Sequence, residues 1–157
     1  LPVNSTKDSV RSIRLAGEVA AGIWREVDMV VDAENTMHAI PDPRWNEEWQ
    51  FVLKVSGNSL NKVAQDGDVL LCLSLGESNT DIKDGDLVIV ERTQQQGGFI
   101  ETTAKRVKRT SNGSYELWPE STDPLHQAPF KVEDNEIDQD MIVRVIALVI
   151  AVTKRFV

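Results

Sequence analysis

Residues Val55–Leu73 read VSGNSLNKVAQDGDVLLCL. Gly and Asn tolerate left-handed backbone, so Ser56-Gly57-Asn58-Ser59 is turn chemistry, and it sets Ser59 on an exposed turn. Asp66-Gly67-Asp68 makes a second turn, and the apolar run Val69–Leu75 that follows is a buried strand. Upstream, WQFVLKV (Trp49–Val55) alternates and is rich in β-formers. Two strands therefore flank a turn that carries a serine, and the fold is read outward from this unit.

Further strands are expected on the same grounds. They are SIRLAGEVAA (Ser12–Ala21), where Ile13, Leu15, Gly17 and Val19 alternate, DLVIVER (Asp86–Arg92), FIETTAKRVKR (Phe99–Arg109) and SYELWP (Ser114–Pro119). Asn112-Gly113 predicts a two-residue hairpin turn between the last two. WREVDMVVD (Trp24–Asp32) reads equally as strand or helix, and Ala33–Asn46, with two prolines, reads as irregular. MIVRVIALVIAVTKRF is one long bent strand or a helix, and its Val/Ile content favours the strand. The chain is thus mostly β, with many short strands and few or no helices.

Bulk properties set the limits. A length of 157 residues corresponds to about one domain, and a formal net charge of −8 repels a polyanion such as DNA. The single cysteine, Cys72, lies inside VLLCL and reads as a buried structural thiol, so a reducing, cytoplasmic setting is expected. No apolar segment reaches the ~18 residues a membrane span requires. Leu1–Ser12 is expected to be a linker, with one domain over 13–157. The chain opens on Leu1 rather than Met, which points to a natural N-terminal part upstream.

Several chemistries are set aside. Asp66-Gly67-Asp68 and Asp84-Gly85-Asp86 read as turns; after Asp66 the spacing of a calcium loop brings Leu70, Cys72 and Ser74, which are not acids. His38 and His126 lie in proline-flanked segments with nothing to link them to Ser59, and two His with one Cys give no zinc spacing. No metal and no cofactor is expected. Trp24, Trp45, Trp49 and Trp118 read as packing residues. Lysine remains as a base for Ser59. On a strand, Lys105 shares a face with Thr103, Val107 and Arg109, and is carried inward if Val107 points inward. Burial would lower its pKa and free it to act as a base. From these residues alone, a turn serine and a solvated strand lysine remain the plainer reading.

Six stretches in order change that balance: GEVAAG (Gly17–Gly22), FVLKVSGNSL (Phe51–Leu60), DGDVLLC (Asp66–Cys72), GDLVIV (Gly85–Val90), AKRVKR (Ala104–Arg109) and ELWPES (Glu116–Ser121). Together they resemble the C-terminal peptidase domain of the LexA family of self-cleaving repressors, which includes phage lambda-type repressors and UmuD-like proteins. The resemblance runs from about Arg14 to Val152 and implies a LexA C-terminal-domain-like fold of several short, strongly bent sheets. It implies Ser59 as nucleophile, Lys105 as general base, Ala21–Gly22 as the scissile bond, and the backbone N–H groups of Asn58 and Ser59 as the oxyanion hole. It also implies a homodimer, a cleavage segment that docks and undocks, an activated RecA filament favouring the docked state in many members, and operator DNA bound through an N-terminal helix-turn-helix domain absent from this chain. Leu60 replaces the common methionine, and Gly76–Lys83 and Thr93–Gly98 are longer than in compact members. The polar start favours a truncated repressor over a UmuD-like accessory; a dimerisation domain that does not cleave is the second reading. A signal peptidase shares the serine–lysine logic but is expected to carry a membrane anchor.

Overall fold

A computed structural model of the protein describes residues 9–26, 35–94, 98–132 and 141–154. Its strands are β1 (Arg11–Val19), β2 (Arg25–Glu26), β3 (Thr36–Ala39), β4 (Gln50–Val55), β5 (Val69–Ser74), β6 (Leu87–Gln94), β7 (Phe99–Arg109), β8 (Tyr115–Trp118), β9 (Phe130–Val132) and β10 (Met141–Thr153). They join into one ten-stranded sheet in the order β3-β1-β4-β5-β10-β6-β7-β8-β9, with β2 paired to β7. The mostly-β expectation holds, and the sheet is strongly curled. Helix among the described residues is confined to one four-residue helix, α1 (Leu75–Ser78), and a single 3-10 turn at Glu47–Trp49.

Most neighbours are antiparallel, but β1 and β4 run parallel. Parallel partners need a crossover. The chain therefore leaves β1 at Val19, travels away, and returns to β4 at Gln50. The curl brings the end of β1 against β7, where the Ala20 N–H donates to the Thr102 carbonyl at 3.0 Å. The start of the crossover is thereby laid across β7.

The C-terminal run is a strand. β10 pairs with β6 through Met141–Leu148 and with β5 through Ala147–Thr153. Register shifts at Val145/Ala147 and Val149/Ala151 mark the bends of this long strand. The main core lies inside the curl: Val19, Phe51, Leu53, Leu60, Leu70, Cys72, Leu87, Ile89, Ala104 and Ala147 are buried together. A second cluster, Val88, Val90, Val107 and Leu117, packs behind it. Each fully buried Leu, Ile or Val contributes ~1.5–3 kcal/mol relative to exposure. Cys72 is wholly buried, as the sequence reading expected, and desolvation pushes its thiol well above the usual range.

Three local expectations are corrected. Thr36–Ala39, read as irregular, is a strand, because β1 offers it a free edge from Arg11 to Arg14. The Asn112-Gly113 hairpin is one residue longer than expected. Thr110 and Ser114 close it through Thr110 N–H to Ser114 O (2.8 Å), and Gly113 takes φ +84° behind a turn from Thr110. Of the ambiguous segment Trp24–Asp32, Arg25–Glu26 is strand, and residues 27–32 lie outside the described residues. The linker expected over residues 1–12 also lies mostly outside them, and β1 begins at Arg11.

Both Asp-Gly-Asp segments are turns. Asp66 accepts from the Gly57 N–H and Asp84 from the Arg109 N–H; the buried Asp68 accepts from the Gln65 N–H and from Lys154. These oxygens are spent on backbone and lysine donors, which is what turn aspartates do.

Candidate active site

The turn after β4 is built as its sequence suggests, with one correction. Ser59 is only 5 % exposed, whereas the sequence reading expected an exposed serine. The physical reason is that the chain's own crossover covers it. Ser56 N–H donates to the Val19 carbonyl at 2.9 Å, and Ala20 is itself buried against β7. The Ala21 N–H then meets Ser59 Oγ at 3.4 Å.

Ala20–Ile23 is a β-turn. The Ile23 N–H returns to the Ala20 carbonyl at 3.3 Å, and Gly22 takes φ +80° at the third position, the pattern of a type II turn. Beyond it the chain follows β7 backwards, with Arg25 opposite Ile100 and Glu26 opposite Phe99. An exposed ion pair between Arg25 and Glu18 at 2.8 Å spans the mouth of the turn. The Ala21–Gly22 bond therefore sits at the centre of a turn pressed against Ser59.

Strand β7 supplies the other side. Glu101, Thr103, Lys105 and Val107 are one alternating face, and all four are at most 4 % exposed. Arg109, placed on that face by the sequence reading, is exposed because the strand has left the core there. The Lys105 Nζ lies 5.0 Å from the centre of the Phe130 ring. Burial is the largest influence on this lysine and lowers its pKa; the Glu101 charge opposes the shift and the Arg92 charge adds to it.

Glu101 is the residue that sequence reasoning missed. One carboxylate oxygen accepts the Gly22 N–H at 2.6 Å, and the other accepts Arg92 Nε at 2.6 Å. Arg92 in turn lies over the rings of Phe130 (4.5 Å) and Trp24 (5.3 Å). A buried carboxylate is thus satisfied by one cation and by the nitrogen of the Ala21–Gly22 bond. A signal was available, since Glu101 lies four residues before Lys105 on the same strand face.

The segment after β8 closes the site from below. Lys62 N–H donates to the Glu120 carbonyl, and Asn61 and Thr122 exchange two bonds of 2.9 Å. Asn58 Nδ2 donates to Asp123, whose carboxyl is held below the usual range by the Leu125 backbone N–H and by Asn58. The amide N–H groups of Asn58 and Ser59 have no acceptor among the described residues. Neither histidine reaches Ser59: His38 pairs with Ser12 across β1 and β3, and the His126 N–H bonds the Asp123 carbonyl. Three of the tryptophans serve as ring partners for cations, Trp24 for Arg92, Trp45 for Arg44 and Trp118 for Lys108. Among the described residues there is no cluster of three or more metal-ligating side chains, and no helix is long and apolar enough to cross a membrane.

The curled β scaffold thus carries a buried turn serine with the Ala21–Gly22 turn laid against it, and a buried lysine on β7, the strand whose Glu101 holds Gly22. Residues 14–149 match the profile of the Peptidase S24-like family, and the chain belongs to that family of LexA- and UmuD-type peptidases. No curated protein matches the sequence significantly.

Proposed function

We propose that this chain is the self-cleaving Ser-Lys peptidase and dimerisation domain of a transcriptional repressor, and that it cuts its own Ala21–Gly22 bond. The observation that carries this reading is the Ala21 N–H at 3.4 Å from Ser59 Oγ, with Gly22 held by Glu101. Burial favours neutral Lys105, so it takes the Ser59 proton. Ser59 Oγ adds to the Ala21 carbonyl carbon, and the N–H groups of Asn58 and Ser59 receive the developing oxyanion. The C–N bond then breaks, and Lys105 passes its proton to the Gly22 nitrogen. Water hydrolyses the Ala21–Ser59 ester, and Lys105 serves as base a second time.

Substrate and catalyst share one chain, so alignment removes about 7–11 kcal/mol of the barrier. Such a reaction must be held off, and an undocked position of residues 20–26 is the means. An activated RecA filament is the expected signal, a homodimer the expected assembly, operator DNA the target of an upstream domain, and the cytoplasm the setting.

The test is intact mass after incubation at neutral and alkaline pH, with Ser59→Ala beside the wild type. A fragment starting at Gly22, growing with pH and absent from the variant, supports the reading. Its absence even with an activated RecA filament would leave a dimerisation domain that does not cleave.

A further inference from the structure

We propose that Ser121 is a positioning residue for the oxyanion site, acting through the peptide unit that joins Asn58 to Ser59. The proposal rests on the peptidase reading above and adds a residue to it. Ser121 is 1 % exposed, and its Oγ donates to the Asn58 carbonyl at 2.8 Å. The same oxygen accepts the Asp123 N–H at 3.0 Å. The hydroxyl is therefore held from both sides, with its proton committed to Asn58. The Ser121 carbonyl is also claimed, by Gln127 Nε2 at 2.7 Å.

The consequence follows from peptide geometry. The Asn58 carbonyl and the Ser59 N–H belong to one planar trans unit and point in opposite directions. A donor that pulls the carbonyl toward Ser121 turns the Ser59 N–H the other way. That N–H has no acceptor among the described residues, although Ser59 is buried. Buried backbone donors are nearly always paired, so an unclaimed one beside the nucleophile is a donor kept for a ligand. The Asn58 carbonyl also accepts the Asn61 N–H, but at 3.3 Å, so Ser121 is the closer of the two donors that set this peptide. A flip would aim a carbonyl dipole, rather than an N–H, at the developing negative charge.

Ser121 also links the two halves of the site. It follows Glu120, which pairs with Arg106 at 2.8 Å, and Arg106 is the neighbour of Lys105 on β7. The segment that orients the serine turn is thus tied to the strand that bears the lysine. The ELWPES stretch singled out in the sequence ends on this serine.

The experiment is the pH profile of self-cleavage, read by intact mass, for wild type, Ser121→Ala, Ser121→Thr and Asn61→Ala. Ser121→Ala is expected to lower the high-pH plateau about 10- to 100-fold and to leave the midpoint unchanged, because geometry is lost and the lysine is not touched. Ser121→Thr keeps the hydroxyl and is expected to recover most of the plateau. Asn61→Ala breaks the neighbouring bonds to Thr122 but leaves Ser121 on Asn58, and is expected to stay within about threefold of wild type. A wild-type plateau in Ser121→Ala, a moved midpoint, or an equal loss in Asn61→Ala would each overturn the proposal. Should Ser121→Ala not fold, Ser121→Cys, close in shape and a weaker donor, carries the test: an intermediate plateau supports it and a wild-type plateau overturns it. A wild type that never yields the Gly22 fragment overturns the peptidase reading and this inference with it; a cleaving wild type with an indifferent Ser121→Ala overturns this inference alone.

Discussion

Replacing Gly22 by alanine isolates the conformational cost of presenting the Ala21–Gly22 bond. Gly22 sits at φ +80°, and a Cβ built there meets no atom within 4 Å. The penalty is therefore backbone strain rather than collision, about 1–2 kcal/mol for an L-residue in the left-handed region. On the proposed reading, in which the docked turn is a minority state, that cost lowers its population about 5- to 30-fold, taking RT as about 0.6 kcal/mol. The cleavage rate should fall by the same factor at every pH, since neither Ser59 nor Lys105 is altered. The assay is the first-order loss of intact mass across a pH series, with the unfolding midpoint measured in parallel. An unchanged rate would mean that the turn at Gly22 is not the reactive conformation. A loss beyond about a thousandfold would mean that the Cβ meets something in the reactive state that the docked geometry leaves open, and the strain argument would fail.

Lys105→Met is expected to raise stability at neutral pH, because burial penalises the charged form and lowers the folded-state pKa. The sign follows from proton uptake: between the lowered folded pKa and the ordinary lysine value the unfolded chain binds more protons, so wild-type stability rises with pH and the gap to Lys105→Met narrows. Denaturant melts at several pH values test this, and a gap that widens with pH would refute it. Glu101→Gln removes the negative charge that helps keep Lys105 protonated, so the rise of cleavage with pH should begin at lower pH; a midpoint that moves upward would contradict the assignment. Leu117→Ala empties a fully buried position in the second core cluster and should cost about 2–5 kcal/mol in a denaturant melt, with a loss below about 1 kcal/mol counting against that packing.

Much of the architecture was legible because strand signals are local. Phe99–Arg109 alternates, and it is a strand over those same residues; the β-branched content of Met141–Thr153 decided strand over helix there. The errors fall where a neighbour supplies what the sequence lacks. Thr36–Ala39 has two prolines after it, at Pro41 and Pro43, and becomes a strand only because β1 presents an edge. Ser59 reads as exposed because nothing within its own turn hides it; the cover comes from Ala20 and Ala21, some forty residues away in the chain. Glu101 was overlooked because an acid on a strand face is ordinarily solvated, and only Arg92 and the Gly22 N–H make its burial tolerable.

What the sequence determined by itself is the set of periodic and turn-forming segments: which residues extend, where the backbone reverses, and that Lys105 shares a strand face with Val107. These depend on φ/ψ preference and on the two-residue repeat of a strand, both properties of neighbouring residues. What only the tertiary structure decided is which distant segments meet. The curl of the sheet carries the end of β1 across to β7, so that Ala21 faces Ser59 and Gly22 faces Glu101. That encounter depends on the accumulated twist of ten strands and on a parallel β1–β4 crossover. No single segment encodes either, because each arises from how every strand packs against the next.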